Sequence, residues 1–103
     1  MSEFKIPKRI QLTCYPVDVV FENDLVSKSD RQGEARYRQN QIAIQASTES
    51  FPLSDIDHVS TYFHELMHWI LFLTKNHKLD ENEDFVDQVA MLLAQAALSA
   101  EYK

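Results

Sequence analysis

The stretch TYFHELMHWILFL, Thr61 to Leu73, sets two histidines and a glutamate inside a run of large apolar side chains. Burying polar groups without partners is costly, so a fold that buries this segment must also satisfy them. Ile56, Val59, Phe63, Met67 and Ile70 recur close to helical spacing, and Ser54 stands ahead of them as an N-cap. That pattern predicts a helix from Ser54 to about Leu73. Tyr62, Phe63, Trp69, Ile70, Leu71, Phe72 and Leu73 make it apolar nearly all round, as in a buried central helix.

Within this helix His64-Glu65-Leu66-Met67-His68 reads HExxH. Positions four apart lie about 40° apart around the axis, so both imidazoles project from one face and can bind one zinc ion (Zn2+). Glu65 falls beside the metal, where it can take a proton from water. A catalytic zinc site takes a third protein ligand and keeps a fourth position open. The extended pattern HExxHxxGxxH is excluded, because Leu71 and Thr74 occupy its glycine and third-histidine positions.

Glu83 is the better third ligand. It heads a second helix, expected to begin near Asp80 or Glu81, and antiparallel packing against the first would point it at the metal. Asp87, one turn on, would then reach the outer N–H of a ligand histidine. Other readings stand beside this one. Asp80-Glu81-Asn82-Glu83 also reads as a capping box. Glu81 and Asp84 are alternative ligands, and His77 reaches the metal only if its loop folds back. HExxH also arises by chance.

The first half of the chain is β-like. Ile10, Leu12 and Cys14 alternate with polar neighbours until Pro16 interrupts, and VDVVFEN reads equally as strand or short helix. In GEARYRQNQIAIQ, Ala35 and Tyr37, then Ile42 and Ile44, alternate around a Gln39-Asn40 turn, which predicts a hairpin. Gly33, the chain's only glycine, is expected where other residues would strain the backbone. In the second helix Phe85, Val89, Leu92, Leu93 and Ala96 form the broad apolar face. The fold class is α+β: a small N-terminal antiparallel or mixed sheet packed on two C-terminal helices, residues 1–103 forming one domain.

Charge and cysteine content narrow the function classes. A net charge of −6 disfavours a general nucleic-acid binder. The single cysteine, Cys14, permits no internal disulfide. The N-terminus lacks a signal pattern and no apolar run is long enough to span a bilayer. An intracellular, cytoplasmic protein with no membrane association is therefore expected.

His64, Glu65 and His68, followed by Glu83 and Asp87 as Glu-x-x-x-Asp, resemble a gluzincin zinc metallopeptidase. The chain is most similar to the minigluzincins and to small phage or prokaryotic proteins related to the ImmA/IrrE peptidases. Gly33 and Tyr37 ahead of the isoleucine strand match that group's Gly-x-x-x-Tyr pattern. The resemblance implies a zincin-like peptidase: His64, His68 and Glu83 bind zinc, and Glu65 serves as general base on zinc-activated water. Asp87 orients a ligand histidine. A peptide or protein substrate lies along an edge strand formed by Gln41, Ile42, Ala43, Ile44 and Gln45. Larger members stabilise the oxyanion with a downstream His or Tyr, for which His77, Tyr62 and Tyr102 are the stand-ins here. The alternative is a zinc-binding module that holds a protein partner along its sheet edge with little or no turnover. A DNA-associated, SprT-like metallopeptidase would need His77 as a ligand.

Overall fold

Alternating side chains carry the first half of the chain into four strands, β1 (Arg9–Leu12), β2 (Tyr15–Glu22), β3 (Gly33–Arg36) and β4 (Gln41–Gln45), ordered β1-β2-β4-β3. The computed structural model describes residues 4–102.

β1 and β2 form a tight hairpin with Leu12 opposite Tyr15 and Thr13 in the left-handed region at φ 53°. The first strand therefore stops before Cys14, which sits exposed in the turn. Pro16 does not interrupt the sheet but lies inside β2, opposite Gln11. Successive N–H groups of β2 point alternately to the two sides, Asp18 to the Asn40 carbonyl and Val19 to that of Lys8. Pro16 accordingly faces the β4 side, two residues before β4 pairing begins at Asp18, so its missing N–H breaks no bond. The ambiguous VDVVFEN segment is strand, with Val17 and Val19 in the core.

β2 and β4 run parallel, which requires a crossover. Its parts are β3 and a five-residue helix, α1 (Leu25–Ser29), that periodicity did not signal. α1 ends at Asp30, whose φ of 57° turns the chain and whose N–H bonds the Val26 carbonyl at 2.8 Å. The predicted hairpin is present: β3 pairs antiparallel with β4, Gly33 opposite Ile44 and Arg36 opposite Gln41.

This topology overturns one expectation. Gln41–Gln45 is not an edge: β2 and β3 occupy both its sides, and Ile42, Ala43, Ile44 and Gln45 are all buried. Alternation reports which face a residue takes, not which strand lies beside it. The free edge on this side of the sheet is β3.

α2 (Asp55–Leu73) opens with a reciprocal capping box between Ser54 and Asp57. It lies on the inner sheet face, where Tyr62 and Trp69 join Val17, Val19, Ile42 and Ile44 in one cluster. The Trp69 indole N–H donates to the Gln41 carbonyl at 3.1 Å, fixing the helix against β4. No helix among the described residues is long and apolar enough to cross a membrane.

After α3 (His77–Asp80), α4 (Glu83–Ser99) returns antiparallel along α2, with Asp87 beside His64 and Leu98 near His58. α4 starts later than the sequence suggested, because Asn82 caps it by accepting the Phe85 N–H at 3.1 Å. Its buried row is Val86, Ala90 and Ala94. Phe85 and Val89 are half-buried, whereas Leu92, Leu93 and Ala96 are exposed, contrary to the expected face. The helix carries two apolar rows, and the one with small side chains makes the close contact with its neighbours.

Candidate metal centre

One turn of α2 separates His64 from His68, so their rings stand one above the other with centroids 4.8 Å apart. The His64 Nε2 lies 3.1 Å from Glu83 Oε2, the His68 Nε2 lies 3.3 Å from Glu83 Oε1, and the two Nε2 atoms are 3.2 Å apart. On the outer side, His64 Nδ1 meets Asp87 Oδ1 at 2.7 Å and His68 Nδ1 meets Asp80 Oδ1 at 2.6 Å. A carboxylate accepts at each Nδ1, so each ring, when neutral, would carry its proton there and present an Nε2 lone pair inward.

Three electron-pair donors then converge with no hydrogen among them, an arrangement that a cation satisfies. The two Nε2 atoms, 3.2 Å apart, stand at the spacing of neighbouring ligands on a tetrahedral zinc, about 3.3 Å, and Glu83 offers one carboxylate oxygen to each ring. His64, His68 and Glu83 therefore fit a divalent ion as they stand.

Glu65 points into the same space but is not one of the three donors. Glu65 is 7% exposed, and its Oε2 stands 4.0 Å from His64 Nε2. Burial pushes its pKa up from the ordinary 4.5, opposed by the nearby His64 and His68. Gly33 on β3 backs this carboxylate. A Cβ there would lie 2.6 Å from Thr61 Cγ2 and 2.9 Å from Glu65 Oε2. The glycine is required by this close approach and not by a strained backbone, since its φ lies outside the left-handed region.

The group opens into a cleft of about 990 Å³ walled by β3 with its preceding loop on one side and by α4 on the other. His64, Glu65, His68, Glu83 and Asp87 all line it. Asn82 takes the capping role that Glu83 was given as its rival, and Glu81 and Asp84 stay outside the donor group. His77 is exposed on α3 and also stays outside it. None of the three oxyanion stand-ins lines the cleft: Tyr62 is buried in the core, Tyr102 is exposed beyond α4, and His77 faces solvent.

Three residues near the centre had been given no place in the site from the sequence. Asp80 sits among other acidic residues, and nothing in the pattern distinguishes it from Glu81 or Asp84. Tyr37 lines the cleft, stacks on Phe72 at 4.0 Å and donates weakly to the His68 carbonyl at 3.4 Å. Burial, reinforced by Asp80, Glu65 and Glu83, pushes its hydroxyl up to about 12, so it stays protonated. Arg31, two residues ahead of Gly33, also lines the cleft. No family model, curated protein or solved structure matches the chain.

Proposed function

We propose that this chain is a zinc-dependent peptidase of gluzincin-like design, acting inside the cell on a peptide or protein substrate. The observation that carries the reading is the inward convergence of His64, His68 and Glu83 beside a buried carboxylate that the donor set does not use. A purely structural zinc site has no need of Glu65. When bound, zinc supplies Lewis acidity and makes water acidic enough to deprotonate near neutral pH.

The chain's own groups do the rest. Asp80 and Asp87 hold the two imidazoles in one tautomer. Glu65 accepts the proton of the attacking water and passes it to the leaving nitrogen, a task its raised pKa suits. The unpaired edge of β3 offers N–H and C=O groups to an extended peptide beside the centre. The lone cysteine accords with a reducing compartment.

Substituting Glu65→Gln tests this directly. The variant is expected to keep about one zinc per chain while peptide cleavage falls by about 10²–10⁴-fold. Cleavage at the parental rate would sink the mechanism. The absence of His77, Tyr62 and Tyr102 from the cleft favours a second reading, a zinc-containing module that binds a partner along β3 and turns over little. Partner-specific proteolysis at near-stoichiometric enzyme would remove it.

A further inference from the structure

Four carboxylates line the cleft near the metal centre, Asp30, Glu65, Glu83 and Asp87, and against them stands a single guanidinium, that of Arg31. Elsewhere Arg9 is tied to Asp18, and Arg36 to Glu22 and Glu34. Arg31 has no hydrogen-bond or ion-pair partner among the described residues, although its charge reaches the Glu65 carboxyl. Its backbone is nonetheless held on both sides. Asp30 N–H bonds the Val26 carbonyl at 2.8 Å, and the Gln32 carbonyl accepts the Gln45 N–H at 2.7 Å. An exposed, unpaired guanidinium at a cleft wall is a ready bidentate receptor for a carboxylate.

Its place relative to the reacting centre is also defined. Arg31 lies two residues ahead of Gly33, which abuts Glu65, and from across the bend at Gln32 its charge acts on the Glu65 carboxyl. At the far end of the cleft β3 leads to Tyr37 over His68. A peptide added antiparallel to β3, the better-aligned pairing, would run from the Tyr37 end toward Arg31. Residues on the C-terminal side of the scissile bond would then arrive at the guanidinium.

We propose that Arg31 selects the substrate by binding a carboxylate one or two residues to the C-terminal side of the cleaved bond. That carboxylate is either an acidic side chain or the substrate's own C-terminus. The inference rests on the peptidase reading and names the recognition chemistry of the same cleft.

The test has two arms. In the first, zinc-supplemented wild type, Arg31→Ala and Arg31→Lys are incubated with a mixed peptide library and the cleavage sites read by mass spectrometry. Acidic residues or free C-termini are expected to be enriched about tenfold just after the cut, with the enrichment lost in Arg31→Ala and partly kept in Arg31→Lys. In the second, 15N-labelled Glu65→Gln protein with zinc is titrated with acetylated alanine-based tetrapeptide amides carrying one glutamate or one glutamine, and with the tripeptide free acid. Shifts of the Arg31 Nε–H are expected with at least one of the two carboxylate peptides and not with the glutamine peptide, and which of the two produces them tells the side-chain source from the C-terminal one. Cleavage without acidic enrichment would overturn the inference and leave the peptidase reading standing. Arg31-dependent carboxylate binding without any cleavage would overturn the peptidase reading and, with it, the selection of a cleavage site, leaving Arg31 a carboxylate receptor only. Absence of both cleavage and binding would overturn both.

Discussion

Asp80 and Asp87 occupy equivalent positions, each closing the outer nitrogen of one histidine at 2.6–2.7 Å, yet only Asp87 was visible in the Glu-x-x-x-Asp spacing. If both fix tautomers, Asp80→Asn and Asp87→Asn should each weaken zinc binding by about 10–100-fold, measured by competition against a chromogenic chelator. An Asp80→Asn variant with parental affinity would make that contact incidental. Gly33 carries a different kind of constraint. Replacing it with alanine drives a methyl into Thr61 Cγ2 at 2.6 Å, on a stiff β-branched side chain within a helix. Overpacking of this sort costs about 1–3 kcal/mol and here would also shift Glu65. Gly33→Ala should lower the chemical-denaturation midpoint, and Thr61→Ser, which removes that methyl, should restore part of the loss. Failure of the rescue would place the strain elsewhere.

At the scale of elements, α2 is the most self-specified piece of the chain. Ser54 accepts from the Asp57 N–H, while the Asp57 carboxylate accepts from the Ser54 N–H at 2.9 Å. Ser54→Ala should cost about 1 kcal/mol, seen in urea denaturation near neutral pH. The box also has a pH signature. The bond from Ser54 holds the Asp57 carboxyl below its ordinary 3.8, so folding favours the ionised form. That contribution is complete above the unfolded value of 3.8 and is lost as pH falls through the lower folded value. The Ser54→Ala variant keeps the backbone N–H bond to the carboxylate but loses the hydroxyl's bond to it. Its stability gap from wild type should therefore narrow below about pH 4 without closing, because the hydroxyl also accepts the Asp57 N–H at any pH. A gap unchanged at about pH 3 would contradict the linkage. Cap, period and HExxH register of α2 were legible because all are local. The β3–β4 hairpin was legible for the same reason. The insertion of β4 between β2 and β3 was not, because Ile42 and Ile44 record burial on one face and say nothing of the parallel partner across the sheet. α4 misled in another way: Leu92 and Leu93 weigh more in any apolar count than Ala90 and Ala94, although the alanines permit the closer packing.

Across the whole molecule the consequence is a helix held by little apolar surface. α4 commits only Val86, Ala90 and Ala94 as fully buried side chains, whereas the sheet and α2 share Val17, Val19, Ile42, Ile44, Tyr62 and Trp69. Its first two turns also carry Glu83 and Asp87 to a place already occupied by Glu65 and, from α3, Asp80. Without a cation these carboxylates oppose one another, and only His64 and His68 stand between them. A bound divalent ion would join α2 to α4 through His64, His68 and Glu83 and offset the repulsion. Zinc at a hundred times its Kd should then add about 2.7 kcal/mol of stability, read as a rise in Tm that a chelator reverses. The rise should vanish in Glu83→Ala. The location of the effect is as informative as its size. Amide exchange in metal-free protein should quicken first in α3 and the opening turns of α4, with β2, β4 and the middle of α2 still protected. A Tm indifferent to zinc and chelator would mean that α4 docks on its small-residue row alone. Loosening that began in the sheet would mean that metal and fold are coupled through the core instead.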